Sequence, residues 1–243
     1  MITFCLDFGN TRLKLALFDS GVFVEEIVLV DDGLDSIISL IEKYKPTKSI
    51  LSSVIHHNPA IEKLLSDATR FHLLSAQSVR PFTAVVGKAD SIGTDRLALM
   101  AAAVDQFPHQ NTLVICLGSC ITYNFINQQH QFLGGAISPG MEMRFKSMHT
   151  FTAKLPLVSE DWNFPLIGYD TKTNLQSGVI VGIASEIEGF IEKYSAKFGN
   201  FNVVLTGGHC TYFASQLKYR IFADVNFLFK GLYALSELNN QPI

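Results

Sequence analysis

The strongest constraint on what this chain can fold into is a pattern that occurs twice. Residues 2–8 and 12–18 read as β-runs joined by the tight turn Gly9-Asn10-Thr11, and Asp19-Ser20-Gly21 leads into a third run over 22–30. Near residue 112 the theme returns. An apolar run over 112–116 meets the turn Leu117-Gly118-Ser119, comes back over 121–126, and turns again at 128–131 into 132–137. A strand triplet repeated in this way predicts two related lobes. Helical spacing follows each triplet. Leu34, Ile37, Ile38, Ile41 and Tyr44 form a stripe that Pro46 ends, and a second helix near 59–65 lies between strands at 49–54 and 71–74. A polar loop over 87–93 precedes a helix from about Asp95 that presents Leu97, Met100, Ala101 and Val104 and closes at Pro108.

In the second half, Ser138-Pro139-Gly140 predicts a helix start, with serine as cap and proline at the first helical position. Residues 162–173 read as irregular. A long helix follows on the stripe Leu175, Val179, Ile183, Ile187, Phe190 and Tyr194. The chain then gives a strand at 201–205, the turn Thr206-Gly207-Gly208, a helix at 210–217 and a last helix at 225–238. The expectation is an α/β protein with a lobe over 1–108 and another over 109–243.

Composition narrows the function classes. With 48% hydrophobic and 17% charged residues the chain is neither disordered nor highly solvated. A net charge of -3 with no basic stretch gives a nucleic-acid backbone nothing to dock on. No apolar run is long enough for a membrane span, and Met1-Ile2-Thr3-Phe4 does not start a signal peptide. Cys5, Cys116, Cys120 and Cys210 match no zinc spacing, and buried thiols in a reducing compartment are the expectation, hence a cytoplasmic protein. The 19 phenylalanines suggest a subunit interface.

Several turns could carry chemistry. Asp7 ends a strand just before Gly9, Asn10 and Thr11, where a carboxylate can hold Mg²⁺ and the glycine turn can approach a phosphate, with Lys14 a positive partner on the return strand. The alternative is a hairpin in which Asp7 caps its own turn. Gly118 and Ser119 repeat the device with Thr122 nearby, and Gly207 sits in a third flexible turn, so the three could surround one nucleotide. No Walker A loop and no Gly-x-Gly-x-x-Gly fingerprint is present. Gly93-Thr94-Asp95-Arg96 sets a carboxylate beside a guanidinium at a helix start, where Asp95 could take a proton from an attacking hydroxyl and Arg96 could clamp an anion. Helix-start chemistry with an exposed arginine is the plain alternative. His56-His57 has no acidic partner nearby in sequence and reads as a satisfied or exposed pair, and Glu142 and Arg144 are assigned no chemistry.

Taken together, Asp7-Phe8-Gly9-Asn10-Thr11 with Lys14, Gly93-Thr94-Asp95-Arg96, the run from Gly134 to Gly140, Ala153-Lys154-Leu155-Pro156, Thr171 with Gly178, and Thr206-Gly207-Gly208 resemble the type III pantothenate kinases over most of the chain. The resemblance implies two ribonuclease-H-like lobes of the actin-like ATPase superfamily, each with a mixed five-stranded sheet flanked by helices. It also implies a homodimer that phosphorylates the pantothenate hydroxyl with ATP and Mg²⁺, opening coenzyme A synthesis, with a monovalent cation such as K⁺ or NH₄⁺. On the same resemblance Asp95 is the general base, while Gly93, Thr94, Arg96 and Thr171 serve pantothenate. Asp7 governs the metal, and Gly9, Asn10, Thr11, Lys14, Gly118, Ser119 and Gly207 line the nucleotide. The partner subunit completes the substrate pocket, and the dimer surface falls in the second lobe.

Two departures stand out. Where the family has Asp-x-Gly-Thr, this chain has Cys116-Leu117-Gly118-Ser119, which removes a hard oxygen ligand for the monovalent cation. Before Gly93 the family's tyrosine is missing, and Val85-Val86-Gly87-Lys88-Ala89-Asp90 stands there instead. The competing expectation is a non-catalytic or altered relative that binds nucleotide or a regulatory partner in the same cleft.

Overall fold

The structure is a computed structural model that describes residues 1–85, 87 and 89–240. Val86 and Lys88, in the segment that departs from the family pattern, lie outside the described residues. The first triplet forms β1 (Ile2–Phe8), β2 (Leu13–Asp19) and β3 (Val22–Leu29), followed by α1 (Leu34–Tyr44), β4 (Lys48–Ser53), α2 (Ala60–Ala68) and β5 (Arg70–Leu73). The sheet order is β3-β2-β1-β4-β5. β1 pairs antiparallel with β2 and parallel with β4, so the hairpin and the crossover meet on the central strand. Phe4, Leu6, Phe8, Leu15, Leu17, Ile37, Leu51, Ile61 and Leu65 form the core beneath it.

After a two-residue strand, β6 (Thr83–Ala84), and a 3-10 turn at Ala89–Ser91, α3 (Thr94–Gln106) buries every residue from Leu97 to Val104, more than the expected stripe. A helix that is apolar all round needs covering on all sides. The second triplet gives β7 (Thr112–Leu117), β8 (Cys120–Ile126) and β9 (Gln131–Pro139). Then come α4 (Met141–Thr150), α5 (Thr171–Phe198), β10 (Asn202–Gly207), α6 (Cys210–Gln216), β11 (Phe222–Ala223) and α7 (Phe227–Asn239). The second sheet runs β11-β10-β7-β8-β9-β6. Counted from β7, its first five strands repeat the third-second-first-fourth-fifth order of the first sheet, so the sequence repeat is a topological repeat. The sixth strand, β6, makes this sheet wider than the five strands expected.

Two compact units result. One comprises 1–110, 126–134 and 226–243, the other 111–125 and 135–225. The expected contiguous halves, 1–108 and 109–243, thus differ from the observed units in the place of residues 126–134 and of α7, which packs on α3, β1 and β4. The expected helix start at Ser138-Pro139 is corrected: the strand continues through Pro139 and Gly140 precedes the helix. The cause is tertiary, because the Ser138 hydroxyl bonds Glu186 rather than capping α4. Thr206 and Gly207 end a strand instead of forming a turn. The irregular stretch ends at Asp170, whose side chain and Thr173 form a reciprocal cap that starts α5 at Thr171. The phenylalanines go mostly to the cores, with Phe4, Phe8, Phe125, Phe132, Phe213 and Phe227 fully buried. No helix among the described residues is long and apolar enough to cross a membrane.

Candidate active site

In the first unit the site grows from the end of β1. Asp7 lies opposite Lys14 on β2 and beside Ser52 on β4, so three strands converge on one carboxylate. Burial, then the nearby charge of Asp95, lift the Asp7 pKa to about 7, against the lowering effects of Lys14 and the Ser52 hydroxyl. Lys14 also forms a 2.7 Å ion pair with Glu26 of β3, which spends part of its charge away from Asp7. Gly9 closes the turn through its N–H to the Arg12 carbonyl at 3.1 Å, leaving Asn10 and Thr11 exposed at the tip.

Asp95 belongs to the same site. It sits in the first turn of α3, where Gly93 is the cap and contributes no side chain. Burial raises the Asp95 pKa, while hydrogen bonds from the Arg96 and Asp95 N–H groups and the Arg96 charge pull it down. The carboxylate therefore takes helix-end N–H groups that the sequence offered to an external anion. A side chain at 93 would start 2.5 Å from Asp95 Oδ1, so glycine there leaves room for the carboxylate. Thr94 Oγ1 lies 2.9 Å from Ser52 Oγ, which links the helix start to the strand that flanks Asp7. The Arg96 guanidinium lies 5.4 Å from the Phe132 ring. Asp7 and Asp95 thus lie in the same unit, near enough for the charge of Asp95 to raise the Asp7 pKa. Ser52, Glu26 and Phe132 were missed because each acts through strand pairing or packing that no local motif announces.

The second unit gathers the glycine turns. Thr206 and Gly207 of β10 pair with Cys116 and Leu117 of β7. Gly207 has φ of +93° and its missing side chain faces the Leu117 backbone at 2.4 Å, so only glycine fits. Gly118 donates its N–H to the Cys120 carbonyl at 3.1 Å, and Gly140 donates to the Ser119 carbonyl at 3.0 Å. A methyl group on Gly140 would lie 2.2 Å from the Gly118 oxygen. Gly118, Ser119, Gly140 and Gly207 therefore form one cluster of close backbone. Thr171 opens α5 and is exposed in this unit. His57 has a partner after all, with Nε2 3.0 Å from Glu62 Oε1 and Nδ1 2.9 Å from Ser53 Oγ.

The donors at Asp7 fit Mg²⁺. Two carboxylates share a buried environment with hydroxyls and too little positive charge, which suits a hard cation. Among the described residues no group of three or more His, Cys, Asp or Glu could cage a metal, so phosphate and water would supply the remaining ligands. A monovalent cation fits poorly at Cys116, where sulfur stands beside Thr206.

A family model for type III pantothenate kinase matches residues 3–193. A type III pantothenate kinase of Christiangramia forsetii is 40% identical over 236 residues, covering 96% of this chain and 97% of its own. Among solved structures, a Baf family protein from Campylobacter jejuni superposes with a TM-score of 0.64 at 20% identity, covering 96% of this chain and 97% of that one. A ROK hexokinase from Thermus thermophilus gives 0.51 at 12% identity over 99% and 100%. At such identities the two structures speak to the fold alone.

Proposed function

This chain belongs to the type III pantothenate kinase family, and from that premise we propose that it transfers the γ-phosphoryl group of ATP to the pantothenate hydroxyl, yielding 4'-phosphopantothenate and ADP at the head of coenzyme A synthesis. Its two repeated sheets are those of the actin-like ATPase fold. The observation that carries the proposal is the carboxylate pair of the first unit, close enough for the charge of Asp95 to lift Asp7.

Asp95 is the general base. Burial keeps its pKa above the usual aspartate range, which favours taking a proton at neutral pH. As the hydroxyl oxygen bonds to the γ-phosphorus, its proton passes to Asp95, the bond to the β-γ bridging oxygen breaks, and ADP leaves. Asp7 would hold Mg²⁺, which when bound supplies charge neutralisation on the phosphate oxygens. Gly93, Thr94 and Arg96 are assigned to the pantothenate end, where the guanidinium of Arg96, near Phe132, has the chemistry to clamp a carboxylate. Thr171 is assigned to the same substrate. Gly9, Asn10, Thr11, Lys14, Gly118, Ser119 and Gly207 are assigned to the nucleotide. Support for the last three is the close backbone cluster at the ends of β7 and β10, which carries little side-chain bulk and so lets an anion approach the backbone.

A homodimer goes with this reading. Phe151 and Ile167 are each 85% exposed, with Leu166 and Tyr169 also outside, and this apolar surface is the proposed subunit contact. A cytoplasmic setting suits the buried thiols of Cys5 and Cys210.

The test is ATP-dependent phosphate transfer to pantothenate by the full chain, with Asp95→Asn beside it. Turnover is expected to fall about a thousandfold in the variant while nucleotide affinity is kept. Nucleotide binding without transfer in the unaltered protein would favour the binding-only relative. Transfer undiminished in Asp95→Asn would remove Asp95 from the role of base.

A further inference from the structure

We propose that Glu186, on α5, is a positioning residue that fixes the Gly118-Ser119 turn for phosphate, through a bracket built around Gly140. The inference rests on the reading of that turn as part of the nucleotide site, and deepens it.

Glu186 is half-buried and receives three donors from three different elements. The Tyr123 hydroxyl of β8 donates to Oε1 at 2.8 Å, and the Ser138 hydroxyl of β9 donates to the same oxygen at 2.5 Å. Arg144 of α4 donates from Nη2 to Oε2 at 2.5 Å. The same guanidinium donates from Nε to the Pro139 carbonyl at 2.8 Å. Ser138 and Pro139 precede Gly140, and Arg144 follows it by one helical turn, its own N–H donating to the Gly140 carbonyl at 3.0 Å. One carboxylate thus holds the chain on both sides of Gly140.

Gly140 in turn touches the phosphate turn directly. Its N–H binds the Ser119 carbonyl at 3.0 Å, and its Cα faces the Gly118 and Ser119 oxygens so closely that a methyl group would meet them at 2.2 and 2.6 Å. A shift of Gly140 by a few tenths of an ångström must be passed on, because close-packed backbone transmits displacement instead of absorbing it. Burial alone would push the Glu186 pKa up, yet hydrogen bonds from Ser138, Arg144 and Tyr123 hold it below the ordinary range, so the bracket is charged at neutral pH. Charge-assisted pairs of this kind are short and directional.

Bulk stapling of α4 to α5 would be the plain role for such a network. What distinguishes positioning is a readout at the turn. Glu186→Gln keeps the shape but faces the Arg144 guanidinium with an amide that carries no charge. In the full chain, the Kd for Mg²⁺ with a non-hydrolysable ATP analogue, by titration calorimetry, is expected to rise about tenfold. Pantothenate KM should stay within about twofold, since the shift is confined to Gly140 and the turn it touches, while Thr171 sits at the far N-terminal end of α5. Amide hydrogen exchange at Gly140 should quicken, because its bond to Ser119 loosens. Ser138→Ala, which leaves the Arg144 ion pair in place, should move both readouts in the same direction by less, and it serves if Glu186→Gln does not fold. An unchanged analogue Kd together with unchanged exchange at Gly140 in a folded variant would overturn the proposal. Failure of the unaltered protein to bind the analogue would instead overturn the nucleotide reading, and the exchange at Gly140 would still decide whether Glu186 positions the turn.

Discussion

With its pKa at about 7, Asp7 is protonated in the folded chain over a range where an unfolded aspartate, near 3.9, is ionised. Between those values the folded state binds the extra proton, so the contribution of this group to stability is complete at low pH and is lost as pH rises through about 7. Asp7→Asn mimics the protonated form at every pH. Without nucleotide or Mg²⁺, the variant is expected to melt above the unaltered chain at pH 8, by on the order of 1–4 kcal/mol, and to gain little at pH 4. Thermal melts at the two pH values check this, and a variant less stable at pH 8 would show that the carboxylate is no burden. The same substitution should weaken Mg²⁺-nucleotide binding, so stability and function pull this residue in opposite directions. Cys116 raises the converse case. It is the penultimate residue of β7 and pairs with Thr206, where a thiol offers a monovalent cation little. Turnover is expected to change less than about twofold when K⁺ replaces a bulky organic cation, and Cys116→Asp should create a K⁺ response by restoring a hard ligand. Strong K⁺ activation of the unaltered chain would refute this.

Among the elements, α3 and α7 meet at a point where backbone touches backbone. A methyl group on Gly231 of α7 would lie 1.8 Å from the Ala98 carbonyl oxygen of α3. Gly231→Ala gains about 1 kcal/mol of helix propensity but forces the two helices apart, and the net expectation is a loss of about 1–3 kcal/mol. Gly189→Ala on α5, where nothing stands within 4 Å, should change stability in the opposite direction. Denaturant melts of both variants decide it, and equal shifts would mean the close approach carries no cost. At this scale the sequence was legible where the signal is local. The hairpin of β1 and β2, the stripe of α1 and the stripe of α5 follow from period and turn residues alone. Ser138-Pro139-Gly140 misled because a side chain on a distant helix, Glu186, claims the serine that would otherwise cap. β6 and β11 span two residues each, too short for alternation to register. Asp7 and Asp95 could be named from motifs, whereas Ser52 emerges only from the register of β4 against β1.

For the molecule as a whole, the last helix belongs to the first unit, and the reason is visible in α3. Residues 97–104 are apolar without a break, so this helix must be covered on every side, and the other α-helices described within 1–110, α1 and α2, are amphipathic and bury only a few residues each. α7 supplies the cover with Phe227, Phe229, Leu232 and Leu235 buried. Polar ties set its register. Lys48 donates to both Glu237 oxygens at 2.8 Å, Asn240 donates to the Ser49 carbonyl at 2.9 Å, and Asn239 exchanges two bonds with the Val79 backbone. Lys48 and Ser49 lie on β4, four and three positions before Ser52, so the element that completes the core also steadies the strand flanking Asp7. Removing α7 would strip that apolar cover and leave the buried Lys48 charge without its carboxylate, a loss of several kcal/mol against a typical stability of about 5–15 kcal/mol. A chain ending at Val225 is therefore expected to lose slow amide exchange in β1, β4 and α3, while β7 and β10 of the second unit keep theirs. Hydrogen-exchange mass spectrometry across both units reads the difference. Protection in β1 and β4 within a few-fold of the full chain would mean that the first unit folds without its C-terminal helix, and the packing argument for the interleaved units would fail.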